Sequence, residues 1–549
     1  MSFSAAPGQA PATAKTAAKP QGSAPASTRE IQRRCTESML RLAPQLPDLV
    51  GLPSDRPTRR VVSPLTDMEA LAVPQANLAD LDQAVARARA AQKRWARTSA
   101  RERAAKLLRL HDVLWDNSED LLNVVQWESG KTRFHAFDEI QDLALNCRYY
   151  ARTLPGVLAD ERRRGALPTL TRTFVMYQPK GVVGVISPWN YPLSLALADA
   201  LAALAAGNAV VLKPDSNTPL GAIAAKAMLV QAGFDPDLFV LVPGRGSELG
   251  TPLIAQVDYI MFTGSTATGR KIAAQAGENL IGMSMELGGK NPMIVLPDAN
   301  VDAAVAGLLR GAFSSGGQLC VSIERLYVHD AIYDQFRTKV VAAVRAMRVE
   351  ASLDWAADMG VMVSTSQLET IEAQVEDALS KGATALVGGK RLPEVGSTAF
   401  APTILEGVRE GMELFKHETF GPVVSLYRFH TDEQAIHLAN DTDYGLNASV
   451  WGKPDHALRV ARQIEAGTVN VNEGFTAAWG STDAPMGGWK TSGIGRRHGI
   501  EGIRKYMEPK TIAVQSRLVP IAPMLGMSKQ QFATLMKVVL RTMRCLGVK

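Results

Sequence analysis

Cysteine is scarce in this chain, and that scarcity excludes two architectures. Cys35, Cys147, Cys320 and Cys545 are the whole complement in 549 residues. Their wide, irregular spacing suits neither a disulfide framework nor a zinc site, so no metal is expected. A reducing cytoplasm is the default compartment for such a chain. Long hydrophobic runs are lacking too. The longest, Leu193 to Ala206, contains Asp199 and falls short of the roughly 20 residues a membrane-spanning helix needs. The N-terminus has no basic patch ahead of an apolar core, so no secretory signal is expected. Acidic side chains are missing from one end only: Arg517, Lys529, Lys537, Arg541, Arg544 and Lys549 have no acidic neighbour between them. They account for the net charge of +6. The basic balance is thus a property of the tail and does not point to nucleic acid.

What is present is an ordinary globular composition, 46% hydrophobic and 21% charged, with length enough for two or three domains. Residues 1–28 are rich in Ala, Pro, Ser, Thr and Gln and read as a disordered tail. Helical periodicity dominates 79–152. Short β-rich runs then alternate with helical stretches: strands at Gly181–Ser187, Ala209–Lys213, Leu238–Val242 and Asp258–Phe262, helices at Leu193–Ala206 and Ala222–Ala232, and a further helix from Ser265. This β-α-β order predicts a parallel sheet covered by helices. The alternation resumes after Glu286, so a second α/β domain is expected from about residue 289. Thr169–Tyr177 and Lys510–Val514 alternate like exposed antiparallel strands, and edges of that kind invite pairing with another chain.

The chemistry gathers in short glycine-flanked strings. Cys320 ends Ser314-Ser315-Gly316-Gly317-Gln318-Leu319-Cys320, and Glu286, in Met285-Glu286-Leu287-Gly288-Gly289-Lys290-Asn291-Pro292, lies 34 positions earlier. A thiolate attacks carbonyls and a carboxylate takes protons from a thiol or water. A lone Cys is more often a buried inert one. Ser187-Pro188-Trp189-Asn190-Tyr191-Pro192 follows the first strand, and the Asn190 amide suits an oxyanion, although Asn before a Pro-containing loop is equally a turn residue. Phe262-Thr263-Gly264-Ser265-Thr266-Ala267-Thr268-Gly269 opens a helix, where free N–H groups face an anion. By itself it fits a plain N-capped helix as well. Lys213-Pro214-Asp215-Ser216 ends the second strand, and His417-Glu418-Thr419-Phe420-Gly421-Pro422 pairs an acid with an aromatic. Each of these, alone, reads as an exposed charge or a core ring.

Taken together and in this order, the strings resemble the signatures of the aldehyde dehydrogenase superfamily, with matches from about residue 60 to 514. The resemblance implies an α/β fold with a Rossmann-type cofactor domain (29–156 and 179–288), an α/β catalytic domain (289–506) and a small β oligomerisation arm (157–178 and 507–516). It implies Cys320 as nucleophile, Glu286 as the base for water and Asn190 as oxyanion donor. Cofactor contacts implied are Ser187, Trp189, Lys213, Ser216, Gly264, Ser265, Glu418 and Phe420. Ser216 stands where many relatives carry a Glu that would repel a 2′-phosphate, which favours NADP over NAD. The expected partners are a small aldehyde and further copies of the chain in a homodimer or homotetramer.

The strings most resemble actinobacterial-type succinate-semialdehyde dehydrogenases. Departures are visible, however. The positions that match carboxylate-clamping arginines are Ala198 and Ser314, which leaves Arg325 as a candidate clamp. Asp199 stands where Lys is frequent, and Arg497 where many members have a Glu. Broad or long-chain aldehyde oxidation is the alternative. A CoA-acylating enzyme or a non-catalytic protein fits less well, because Glu286, Cys320 and Asn190 are all present. In the 517–549 tail Phe532, Leu535, Met536, Val539, Leu540, Met543 and Leu546 share one helical face and Lys537, Arg541 and Arg544 the other. That pattern serves a helix docked on the body, one covering a substrate entrance, or one lying on an anionic membrane surface.

Overall fold

The computed structural model describes residues 27–44, 46–165, 171–515, 523 and 526–547. The expected disorder of 1–28 therefore lies outside the described residues, except that Ser27 caps a helix, Thr28–Leu42. That helix, not foreseen from the sequence, buries Ile31, Cys35 and Met39 in the main core.

Two sheets dominate. The first runs Gly493–Ile494, Gly282–Glu286, Tyr259–Thr263, Val182–Ile186, Ala209–Lys213, Phe239–Leu241, parallel apart from the antiparallel edge at Gly493–Ile494. Its central strands are buried from end to end, which is why they read as unbroken apolar runs. Helix Ser194–Ala206 is almost wholly apolar and buried for the same reason, Asp199 being its one charge, and it stops at Gly207, whose φ of 97° only glycine adopts readily. The strand expected over Leu238–Val242 is shorter. Asp235 caps a 3₁₀ turn at Pro236–Leu238, and only Phe239–Leu241 pairs. The second sheet runs Thr384–Val387, Thr403–Glu406, Val423–Phe429, Ile323–His329, Asn291–Val295, Asn447–Trp451, Thr468–Val471, antiparallel only at its first pair.

The chain crosses from one sheet to the other between Glu286 and Asn291. It then comes back: Gly493–Ile494 pairs with Met285 and Glu286, so residues from the chain's far end flank the first sheet's last parallel strand. A three-stranded antiparallel sheet stands apart, with Thr171–Pro179 between Glu161–Arg164 and Met507–Gln515. In the tail, helix Lys529–Cys545 opens on a Ser528/Gln531 capping box and buries none of its residues. It is not an ordinary helix docked on the body of its own chain. Among the described residues no helix is long and apolar enough to cross a membrane.

Candidate active site

In an open parallel sheet the strand C-termini leave a crevice for ligands. Here the ends of Val182–Ile186, Tyr259–Thr263 and Gly282–Glu286 meet the first residues of the second sheet around a cavity of about 230 Å³. Cys320, Glu286 and Asn190 all line it, as do Trp189, Gly264, Ser265, Glu418 and Phe420. Residues far apart in the chain thus share one small space. Ser187, Lys213 and Ser216 are not part of that wall. The Ser187 N–H donates to the Lys213 carbonyl at 3.2 Å, tying two strand ends together. The Lys213 Nζ donates to the Pro214 carbonyl at 2.7 Å, and Ser216 borders a neighbouring cavity with Arg59 and Asn217.

Asn190 is held from behind by a buried ion pair. Lys131 Nζ lies 2.6 Å from Glu139 Oε1 and donates to the Asn190 carbonyl at 2.7 Å. The second Glu139 oxygen accepts the N–H groups of Leu193 and Ser194, which open the next helix. The Asn190 Nδ2 donates to the Gln318 carbonyl at 3.0 Å, so this amide touches the loop that carries the thiol. An amide has two N–H donors, and one remains for a ligand.

The Cys320 loop depends on left-handed backbone at Ser315, Gly316 and Gly317. At Gly317 a Cβ would sit 2.1 Å from the Gly421 carbonyl oxygen, so only glycine lets this loop meet the segment carrying Glu418 and Phe420. That segment has its own anchor. Lys290 Nζ lies 2.6 Å from Glu324 Oε2, and Glu324 accepts the N–H groups of Thr419 and Phe420 at 3.0 Å. Phe420 meets Trp189 edge-on, with ring centroids 5.2 Å apart. Gln367 Nε2 braces the Phe420 carbonyl at 3.0 Å. Glu418 Oε1 accepts the Gly289 N–H at 2.8 Å, and a Cβ on Gly288 would lie 2.3 Å from its other oxygen.

Low solvent access shapes the charges. Burial pushes the Cys320 thiol up to about 12, against the pull of Arg497. Burial likewise raises Glu286 to about 7, with Arg497 and Lys505 opposing it, and its Oε1 has no hydrogen-bond partner. A carboxyl poised near neutrality suits a general base. Glu418 is raised to about 8, by burial and then by Glu324 nearby.

A dinucleotide fits these walls. Helix Thr266–Glu278 starts at the cavity, with Ser265 as its cap, and turns its first N–H groups toward an anion. The glycines at 264 and 288 leave room, while Glu418 and the Phe420 ring put a carboxyl and an apolar face in the same wall. Sequence reading did not find Thr263 and Gln367 in the wall, or Lys131, Glu139, Lys290 and Glu324 behind it. Lys290 stood inside a quoted string, but nothing in a linear string reveals burial or its Glu324 partner. One expectation fails. Arg325 is spent on the carbonyls of Lys290, Leu438 and Ala439, inside the second sheet. It is no carboxylate clamp.

The model of the aldehyde dehydrogenase family matches residues 52–512. A Mycolicibacterium smegmatis protein named "Putative succinate-semialdehyde dehydrogenase (NADP+)" is 50% identical over 474 residues, covering 86% of this chain and 92% of its own. The crystal structure of succinate-semialdehyde dehydrogenase from Burkholderia pseudomallei superposes with a TM-score of 0.80 at 35% identity, over 84% of this chain and 95% of that one. Betaine aldehyde dehydrogenase from Staphylococcus aureus, in complex with NAD+, gives 0.81 at 31% identity, over 88% and 98%.

Proposed function

The chain belongs to the aldehyde dehydrogenase family, whose members oxidise aldehydes with NAD(P), and from that premise we propose that Cys320, Glu286 and Asn190 carry the reaction. One observation supports this most: all three line a single cavity with Glu418, Phe420 and the start of helix Thr266–Glu278. Cys320 releases its thiol proton to solvent through the cavity as its sulfur adds to the aldehyde carbon. The carbonyl oxygen becomes an oxyanion that takes the free N–H of Asn190 and the backbone N–H of Cys320, and losing one such donor costs about 10²–10³ in rate. NAD(P)+, when bound, supplies the hydride acceptor that leaves a thioester on Cys320. Glu286 takes a proton from water, whose oxygen attacks the thioester carbonyl. Collapse expels the thiolate and frees the acid. Glu286 gives hydrolysis its own base, so CoA is not needed as acyl acceptor.

Succinate semialdehyde is the proposed substrate, on the strength of the name borne by the M. smegmatis relative. Its carboxylate needs a cation near the thiol. Arg310 is the proposed partner: Nη1 donates to Ser314 Oγ at 3.1 Å, and the guanidinium lies 5.5 Å from the Phe475 ring, in the apolar cluster against which Cys320 packs. It already holds Asp138 at 2.8 Å through Nη2, so a substrate carboxylate would share the cation. NADP is the proposed cofactor because Ser216 sets no negative charge against a 2′-phosphate.

The tail helix is proposed to lie on an anionic membrane surface. Among the described residues Lys529, Lys537, Arg541 and Arg544 have no acidic partner, and Leu535 and Leu540 are 43% and 56% exposed. Each basic side chain near such a surface is worth about 1 kcal/mol.

Five outcomes follow. Cys320→Ser abolishes acid formation while cofactor binding, read by fluorescence titration, persists; an active variant removes the nucleophile. Glu286→Gln accumulates acyl-enzyme detectable by mass spectrometry, and a normal steady-state rate would remove the base. Ser216→Glu cuts kcat/KM with NADP by at least about tenfold and leaves NAD nearly unchanged, whereas Arg310→Gln raises KM for succinate semialdehyde about tenfold or more but not for an uncharged aldehyde of equal length. The full chain sediments with phosphatidylserine vesicles and not with neutral ones, and a chain ending at residue 515 sediments with neither.

A further inference from the structure

Behind Glu286 lies a cluster of buried charge that the reaction scheme does not use. Asp199 sits in helix Ser194–Ala206, and Arg497 lies between the returning strand Gly493–Ile494 and helix Gly499–Arg504. The Arg497 Nε donates to Asp199 at 3.0 and 3.2 Å, and Nη2 donates to Asp199 Oδ2 at 2.7 Å. The same Nη2 donates to Thr263 Oγ1 at 2.6 Å. Thr263 is the register partner of Glu286 on the neighbouring strand, and both line the cavity. The backbone of Arg497 is fixed as well, exchanging hydrogen bonds with Met486 at 2.6 and 2.9 Å. Glu286 Oε1 meanwhile is buried with no partner of its own. A guanidinium pinned on three sides is thus bonded to the strand neighbour of Glu286, whose Oε1 is buried without a partner.

We propose that Arg497 is a positioning residue for Glu286: clamped by Asp199 and Thr263, it is the fixed countercharge against which the carboxylate forms when it takes a proton from water and gives it up again. The proposal rests on Glu286 being the base. It also makes sense of two departures together. Asp199 stands where Lys is frequent and Arg497 where many members have a Glu, so both signs are inverted here, and the two side chains bond each other. Inversion changes the chemistry, because a guanidinium does not give up its proton in proteins. The pair therefore cannot pass a proton along, and the proton from Glu286 leaves through the cavity.

The charged and titratable groups facing Glu286 are Arg497, Lys505, Arg496 and Asp199, with Cys320 and Tyr259 also within electrostatic reach. Lys505 stands 3.7 Å from Asp199. Burial raises the Glu286 carboxyl to about 7, Arg497 and Lys505 pull it down, and Asp199 pushes it up. The base works when ionised, so acyl-enzyme hydrolysis rises with pH through that value and levels off above it. Removing the cation lifts the carboxyl further and moves the acid limb to higher pH. Neutralising Asp199 does the opposite.

The test is the pH dependence of acyl-enzyme decay, followed by rapid quench and mass spectrometry in the full-length protein, for wild type, Arg497→Gln, Arg497→Lys and Asp199→Asn. The limb is expected to move up by about one unit or more in Arg497→Gln, to move less in Arg497→Lys, and to move down in Asp199→Asn. Limbs that stay in place, or that move the same way in Arg497→Gln and Asp199→Asn, overturn the proposal. If Arg497→Gln does not fold, the other two variants decide by the same signs. Glu286→Gln run alongside separates the two failures: normal decay there shows that the base itself was misassigned, and the positioning role falls with it.

Discussion

Two buried ion pairs, Lys131–Glu139 and Lys290–Glu324, hold the reacting geometry in place. Each does more than neutralise charge. Lys131 and Glu139 together grip the Asn190 carbonyl and the first N–H groups of the following helix. Lys290 and Glu324 grip the segment that presents Phe420. Taking two charges out of water is costly, and removing one partner of a buried pair costs about 3–5 kcal/mol. The cost is offset here because the remaining lone pairs are spent on backbone N–H groups that would otherwise be orphaned. Loops that sequence alone would leave mobile become rigid platforms.

The same exclusion of water that makes those pairs rigid also sets the acid–base chemistry. A thiol pushed to about 12 and a carboxyl raised to about 7 share one cavity, and both feel Arg497. In bulk water that cation would matter little at this range. In a low-dielectric pocket it becomes a main control on which group carries the proton. Arg497, Asp199, Glu286 and Cys320 therefore act as one electrostatic unit, even though they come from four separate stretches of chain.

Outside the site the molecule keeps two surfaces that its own fold does not bury. Met507–Gln515 is an outer strand of the three-stranded sheet, and only its first residue is buried. The tail helix sorts apolar and basic side chains onto separate faces. None of these residues lines the cavity that holds Cys320 and Glu286.

The fold class was legible in the chain because buried parallel strands write themselves as short apolar runs between helices, as at Val182–Ile186 and Ala209–Lys213. Cys320 and Glu286 drew attention because glycines flank them, and Asn190 and Glu418 because their strings resemble family signatures; that the four line one cavity was visible only in the fold. Helix Thr28–Leu42, the return of Gly493–Ile494 to the first sheet and the spent state of Arg325 were not legible. Nor was the meeting of Asp199 with Arg497 across 298 positions. A side chain's type states which bonds it is able to make. Which bond it does make depends on the neighbour that packing brings to it and on the water that packing removes, and only the folded chain decides both.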